Sequence, residues 1–214
     1  MSTPEQPISL RRGLGVTEFA GTERHYFLRA GIERAGEVLV QYLESVGSPV
    51  FLRRDAYGRR ITPAGITGPN ILFQLAAHPW TGALHLGPAS HTPGAPREVS
   101  RLLESQVLVL GHAAESSTTY YELFDAGTRV EDFYSTPGDP HPRFRSSRRQ
   151  VGPSDPSDPP AFIDAAIKSL DAYVYHAPID YREERDDEGN AIYTLADPEH
   201  RREDYARIDL LLPR

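Results

Sequence analysis

Segments with a helical apolar period alternate with paired extended runs along this chain. That alternation restricts the fold more than any other feature. Ile32, Ala35, Leu39, Tyr42, Leu43 and Val46 recur at helical spacing, with Glu33, Arg34, Glu37, Gln41 and Glu44 on the other face. Gly47 stands where a C-terminal cap belongs, so a helix is predicted over about 30–46. Pro96, a residue favoured in a first turn, opens a second helix with Val99, Leu102 and Leu103 as its apolar face. Ser157-Asp158-Pro159-Pro160 opens a third over about 160–173, carried by Ile163, Ala166, Ile167, Leu170 and Val174.

The extended runs come in pairs. Pro49 to Leu52 and the segment ending at Ile61 flank a turn at Gly58. Ile71 to Leu75 predicts a central strand that Pro79 bends or ends, with Ala83 to Leu86 continuing it. Val107 to Leu110 predicts a buried strand. Thr118 to Phe124 and Arg129 to Tyr134 flank Asp125-Ala126-Gly127-Thr128, a hairpin signal with Gly127 in the left-handed position. Asp186 to Asn190 reads as a hairpin tip between Tyr173–Tyr181 and Ala191–Leu195, and Tyr205 to Leu212 as a short helix or a last strand. Each helix precedes a hairpin-like pair, not a single parallel strand. The expected class is therefore α+β: an antiparallel or mixed sheet built from hairpins, with about three helices packed on one face. Residues 1–20 are expected to form a loose N-terminal arm. Residues 21–214 form one domain, with a proline-rich mobile loop at 135–160.

Composition removes several classes of chemistry. There is no cysteine, which excludes a disulfide, a thiol nucleophile and any zinc site that uses thiolate. Met1 to Leu10 lack the apolar core of a signal peptide, and no apolar run approaches the roughly 20 residues needed to cross a bilayer. A soluble, cytoplasmic protein is expected. The net charge of −7 counts against non-specific binding to nucleic acid. Lys168 is the only lysine, so any mechanism that needs a lysine must use it.

The candidate site residues form a few groups. His78, His85, His91 and His112 invite a metal reading, with His78, His85, His112 and Glu115 as the ligand set of a metal-assisted hydrolase. No pair has the spacing that places two ligands on one helix face. Glu115, Glu122, Glu131 and Asp132 supply carboxylates for acid–base work or magnesium, or simply the solvent-facing positions of a hairpin. Ser116 and Ser117 lie near His112 without a nucleophile elbow, and Gly13-Leu14-Gly15 lacks the third glycine of a nucleotide fingerprint. Arg143, Arg145, Arg148 and Arg149, with Phe144 among them, form a basic run suited to docking on an acidic partner or nucleic acid. Trp80 is either a core anchor or an exposed binding aromatic.

The stretch Phe73-Gln74-Leu75 into His78-Pro79-Trp80-Thr81 resembles a segment of a functionally uncharacterised family of bacterial proteins of about this length. Val107-Leu108-Val109-Leu110, Phe162-Ile163-Asp164, Asp171-Ala172-Tyr173-Val174 and Asp204-Tyr205 are similar to the same family. The resemblance implies one compact domain and carries no activity, cofactor or catalytic residue. The leading expectation is a non-catalytic protein-interaction module, such as an immunity-like inhibitor or a stress-linked adaptor. Its acidity would suit a basic partner. Its partner is a protein of unknown identity, with no cofactor and no membrane contact. The alternatives are the metal-assisted hydrolase and a nucleic-acid-binding accessory protein. The latter needs the loop arginines to join Arg53, Arg54, Arg59 and Arg60 in one basic face.

Overall fold

The computed structural model describes residues 7–15, 24–61, 70–85, 94–113, 118–138, 142–149, 155–175, 180–185, 187–189, 191–196 and 201–214. In chain order its elements are β1 (Gly13–Leu14), β2 (Arg24–Leu28), α1 (Ile32–Ser45), β3 (Val50–Arg53), β4 (Arg60–Ile61), β5 (Asn70–Leu75) and β6 (Thr81–His85). Then follow α2 (Ala95–Leu103), β7 (Gln106–Ala113), β8 (Thr118–Asp125), β9 (Thr128–Ser135), β10 (Arg143–Ser146) and α3 (Pro159–Lys168). The last are β11 (Tyr173–Val174), β12 (Asp180–Arg185), β13 (Ala191–Thr194) and β14 (Tyr205–Pro213). Nine strands form one sheet in the order β10-β9-β8-β7-β2-β6-β5-β14-β3, antiparallel at every pairing. A small sheet, β12-β13-β4, and a parallel pair, β1-β11, complete the α+β architecture.

Both faces of the large sheet are covered, which explains why its inner strands read as continuous apolar runs rather than alternating ones. Val107 to Leu110 are all buried, yet Leu108 and Leu110 join one core and Val107 and Val109 the other. Phe27, Ile71 and Phe73 face α3, which contributes Phe162, Ile163 and Ile167. Leu28, Leu72 and Leu211 face α1, with Ile32, Ala35 and Val38, and α2, with Val99 and Leu103. The expectation of helices on a single face is thus corrected: two cover one face and the third covers the other.

Local signals account for most element ends. Gly47 takes φ +76° after α1, and the Ser48 N–H closes the helix on the Leu43 carbonyl at 2.9 Å. Asp158 caps α3 by accepting from the Ala161 N–H at 3.2 Å, with two prolines in the first turn. That helix stops at Lys168, short of the expected end, because Asp171 turns left-handed (φ +55°) and sends Val174 into β11. Ala126 and Gly127 both take positive φ between paired Asp125 and Thr128, the two-residue hairpin geometry that matches strand twist.

Two further expectations change. The chain does not continue forward through Pro79. It reverses at Ala76–Ala77, and β6 pairs back on β5 with Gln74 opposite Thr81 and Asn70 opposite His85. The described part of the N-terminal arm is tied down, not loose. Gly13 and Leu14 pair with Tyr173 and Val174, the Leu14 N–H donates to Asp164 at 2.8 Å, and His78 Nε2–H donates to the Ile8 carbonyl at 2.8 Å. Among the described residues, no helix is long and apolar enough to cross a membrane.

Candidate functional site

The segment expected to be an irregular loop contains an edge strand. Arg143-Phe144-Arg145-Ser146 alternates, and β10 lies along β9 with Arg143 opposite Tyr134 and Ser146 opposite Glu131. Arg143 and Arg145 are exposed, while Phe144 and Ser146 are half-buried on the face that α3 covers. Phe144 meets Phe162 edge-on at 5.1 Å, and Phe162 stacks on Phe133 at 4.5 Å. The apolar half of a period-two pattern thus seats the strand and leaves its arginines outside.

A buried carboxylate locks the bend that follows. The Glu131 side chain is fully buried, and it accepts from Tyr121 Oη at 2.6 Å, from Ser146 Oγ at 2.8 Å and from the Arg149 guanidinium. Ser146 Oγ also accepts from the Arg148 and Arg149 backbone N–H groups at 3.0 and 3.1 Å. The Ser147 N–H donates to the Val130 carbonyl at 2.8 Å. The chain therefore curls, and Arg149 folds back over Phe144 with a 5.7 Å separation from its ring. Burial raises the Tyr121 phenol above its ordinary value and the Glu131 hydrogen bond raises it further, so the phenol stays a donor.

The outer face follows a related plan. Arg143 pairs with Asp132 at 3.1 Å and lies 4.7 Å over the Tyr134 ring. Glu122, directly across from Asp132, takes Arg129 at 2.8 Å and the Tyr134 hydroxyl at 2.6 Å. Glu122 and Asp132 are therefore each matched by an arginine, while Glu131 lies on the opposite face. Arg145 and Arg148 have no ion-pair partner among the described residues. Residues Phe144 to Arg149 line an open depression of about 500 Å³ whose lining holds three arginines and no carboxylate. Glu131 neutralises one of these arginines from below, which leaves two positive charges facing solvent.

The other candidates fall elsewhere. Trp80 is a core residue, 2% exposed, with its indole N–H donating to the Leu170 carbonyl at 3.3 Å, so it is not an exposed binding aromatic. Leu28 pairs with Thr81 on one side and Val107 on the other, so β6 and β7 both start at the end of the sheet that carries His78. His85 closes β6 and His112 lies near the end of β7, about 13 Å along the strands. Strand β2 separates their backbones by about 10 Å. His78 therefore lies too far from His85 and His112 to share one ion with them. Glu115, His91, Ser116 and Ser117 lie outside the described residues. Among the described residues, no three His, Asp or Glu side chains are placed to hold a metal. Arg53 belongs to β3, the edge opposite β10 across a nine-stranded sheet, with Arg54 just beyond it. Arg53 and Arg54 thus do not join the β10 arginines in one basic face.

Sequence reasoning missed Tyr121, Ser146 and the structural role of Glu131. The available signal was the alternation Arg-Phe-Arg-Ser, a strand pattern inside a proline-rich stretch. Compared with family models, curated proteins and solved structures, the chain matches none.

Proposed function

We propose that this protein is a non-catalytic, cytoplasmic interaction module that docks an acidic segment of a partner protein on the β10 edge and the bend after it. The observation that carries this reading is the pair of arginines, Arg145 and Arg148, that have no ion-pair partner among the described residues, on a segment held in shape by buried Glu131. A pre-shaped cationic surface loses little conformational entropy on binding, and charge complementarity speeds encounter and selects the partner. An immunity-like inhibitor or a stress-linked adaptor would both use such a surface. The favoured partner segment is acidic, although the chain's net charge of −7 by itself suits a basic one. The metal-assisted reading loses support because His78 lies at the far end of the sheet from His85 and His112. The nucleic-acid reading loses support because Arg53 and Arg54 lie toward the opposite edge.

The test is fluorescence anisotropy with a labelled glutamate-rich peptide, titrated with the full chain at low and physiological salt. Binding that weakens with salt and disappears in the double variant Arg145→Glu, Arg148→Glu is the expected result. No binding, or equal binding by the double variant, would remove the proposal.

A further inference from the structure

We infer that the acidic partner segment binds as an added strand, antiparallel to β10 along its outer edge. This rests on the docking surface proposed above and specifies how that surface is read. In an antiparallel ladder the N–H and C=O of one residue point to the same side, and the side alternates from residue to residue. The Ser147 N–H bonds inward to its partner Val130. With the unbroken β10–β9 register, Arg145 and Arg143 therefore also point inward, and Phe144 and Ser146 present their backbone groups to the free edge. Among the described residues, no hydrogen bond uses those outward groups.

The side chains fix what such a strand must contain. An added strand continues both faces of the sheet, so its alternate residues lie beside either Arg143 and Arg145 or Phe144 and Ser146. Arg143 is already matched by Asp132, which leaves Arg145 to receive a carboxylate on that face. Phe144 is half-buried and offers an apolar contact on the other. Arg148 extends the cationic surface beyond the end of the strand. The fitting ligand is an extended segment in which acidic and apolar residues alternate. Arginines at an edge also discourage pairing between copies of this chain, because like charges then meet. The same device that protects the edge thus selects an acidic strand.

Three synthetic peptides of equal charge test this on the intact chain. The first alternates glutamate and valine, the second is the same peptide N-methylated at alternate backbone nitrogens, and the third is oligoglutamate. The alternating peptide should bind, and N-methylation, which removes the donors of two added-strand hydrogen bonds, should weaken it by about tenfold. Hydrogen exchange in the complex should newly protect the amides of Phe144 and Ser146, while those of Arg143 and Arg145 are protected already. Because the modification sits on the peptide, the fold of the chain is untouched. Equal binding of all three peptides without new protection would overturn strand addition and leave acidic docking standing. No binding by any of them would overturn both. An oligodeoxythymidine that binds this edge more tightly than the alternating peptide would overturn the inference in favour of nucleic acid.

Discussion

Glu131→Gln is the sharpest probe of the site's architecture. The substitution keeps the shape of the side chain and removes its charge. Glu131 is fully buried and Arg149 is 21% exposed, so the variant leaves a mostly buried guanidinium without its counter-ion. Breaking a fully buried pair costs about 3–5 kcal/mol. Partial solvation of Arg149 and the oxygen retained by glutamine reduce that to about 2–3 kcal/mol. For a chain of this size the loss lowers the melting midpoint by about 4–12 °C. Urea denaturation of wild type, Glu131→Gln, Arg149→Gln and the double variant closes a thermodynamic cycle. A coupling of at least about 1 kcal/mol is expected. The loss should also be local: amide protection falls at Arg143, Arg145 and Ser147 before it falls at β5 or β7, because β10 is the strand the carboxylate secures. A cost below about 0.5 kcal/mol, or single effects that simply add, would refute the view that Glu131 locks the bend.

Three further outcomes are expected. Burial holds the His78 imidazole below its ordinary value of 6.5, so the folded state binds fewer protons than the unfolded one in the window below that value. His78 therefore contributes its full stability above that pH and loses it as the pH falls through the window. Wild type should lose more stability than His78→Gln between pH 7 and 5, and identical slopes would refute this. Gly82 faces Phe73 so closely that a Cβ would stand 2.3 Å from the ring, and Gly82→Ala should cost about 1–3 kcal/mol by overpacking; a neutral denaturation midpoint would contradict the pairing. Trp80 is the only tryptophan, so native emission should be that of a buried indole, resistant to acrylamide quenching and unchanged by an acidic peptide at β10. Strong quenching would contradict its placement.

What the sequence disclosed was local. Helix α1 was legible because its apolar period and the cap at Gly47 agree, and the β8–β9 hairpin because Gly127 marks its turn. The features that sequence did not disclose depend on contacts between distant residues. The reversal before β6 uses Ala77 at φ +61°, a left-handed position filled by a residue type that gives no warning of it. Both histidines follow that turn, His78 just before β6 and His85 at its last residue, so the length of the strand separates them. Glu131 reads as a solvent-facing hairpin position. It is buried because β10 and Arg149 close over it, from a segment whose prolines hide a four-residue strand. Helices on both faces were hidden for a related reason. A strand covered on both sides loses the alternation that would reveal which residues face which layer.

A buried ion pair is weak evidence of stabilisation, because well-packed apolar side chains of similar volume are often as stable or more so. The question at Glu131 is therefore what the pair achieves that an apolar pair would not. The triple variant Tyr121→Phe, Glu131→Leu, Arg149→Met separates the two roles. It removes the carboxylate, the guanidinium and the phenol together, so of this network only the half-buried Ser146 hydroxyl loses its acceptor, and it still accepts from the Arg148 and Arg149 backbone N–H groups. The net charge of the site is unchanged, because the deleted pair is neutral and Arg145 and Arg148 remain. If the network exists to hold the bend, stability should stay within about 1 kcal/mol of wild type or rise, while affinity for the alternating acidic peptide falls by about tenfold or more. Equal stability with unchanged affinity would show that Arg145 and Arg148 need no such positioning, and that the surface acts through charge alone. A fall in stability with unchanged affinity would make Glu131 a structural residue with no part in recognition. The geometry favours the first result, since Ser146 is bonded at once to the buried carboxylate and to the backbone that carries Arg148.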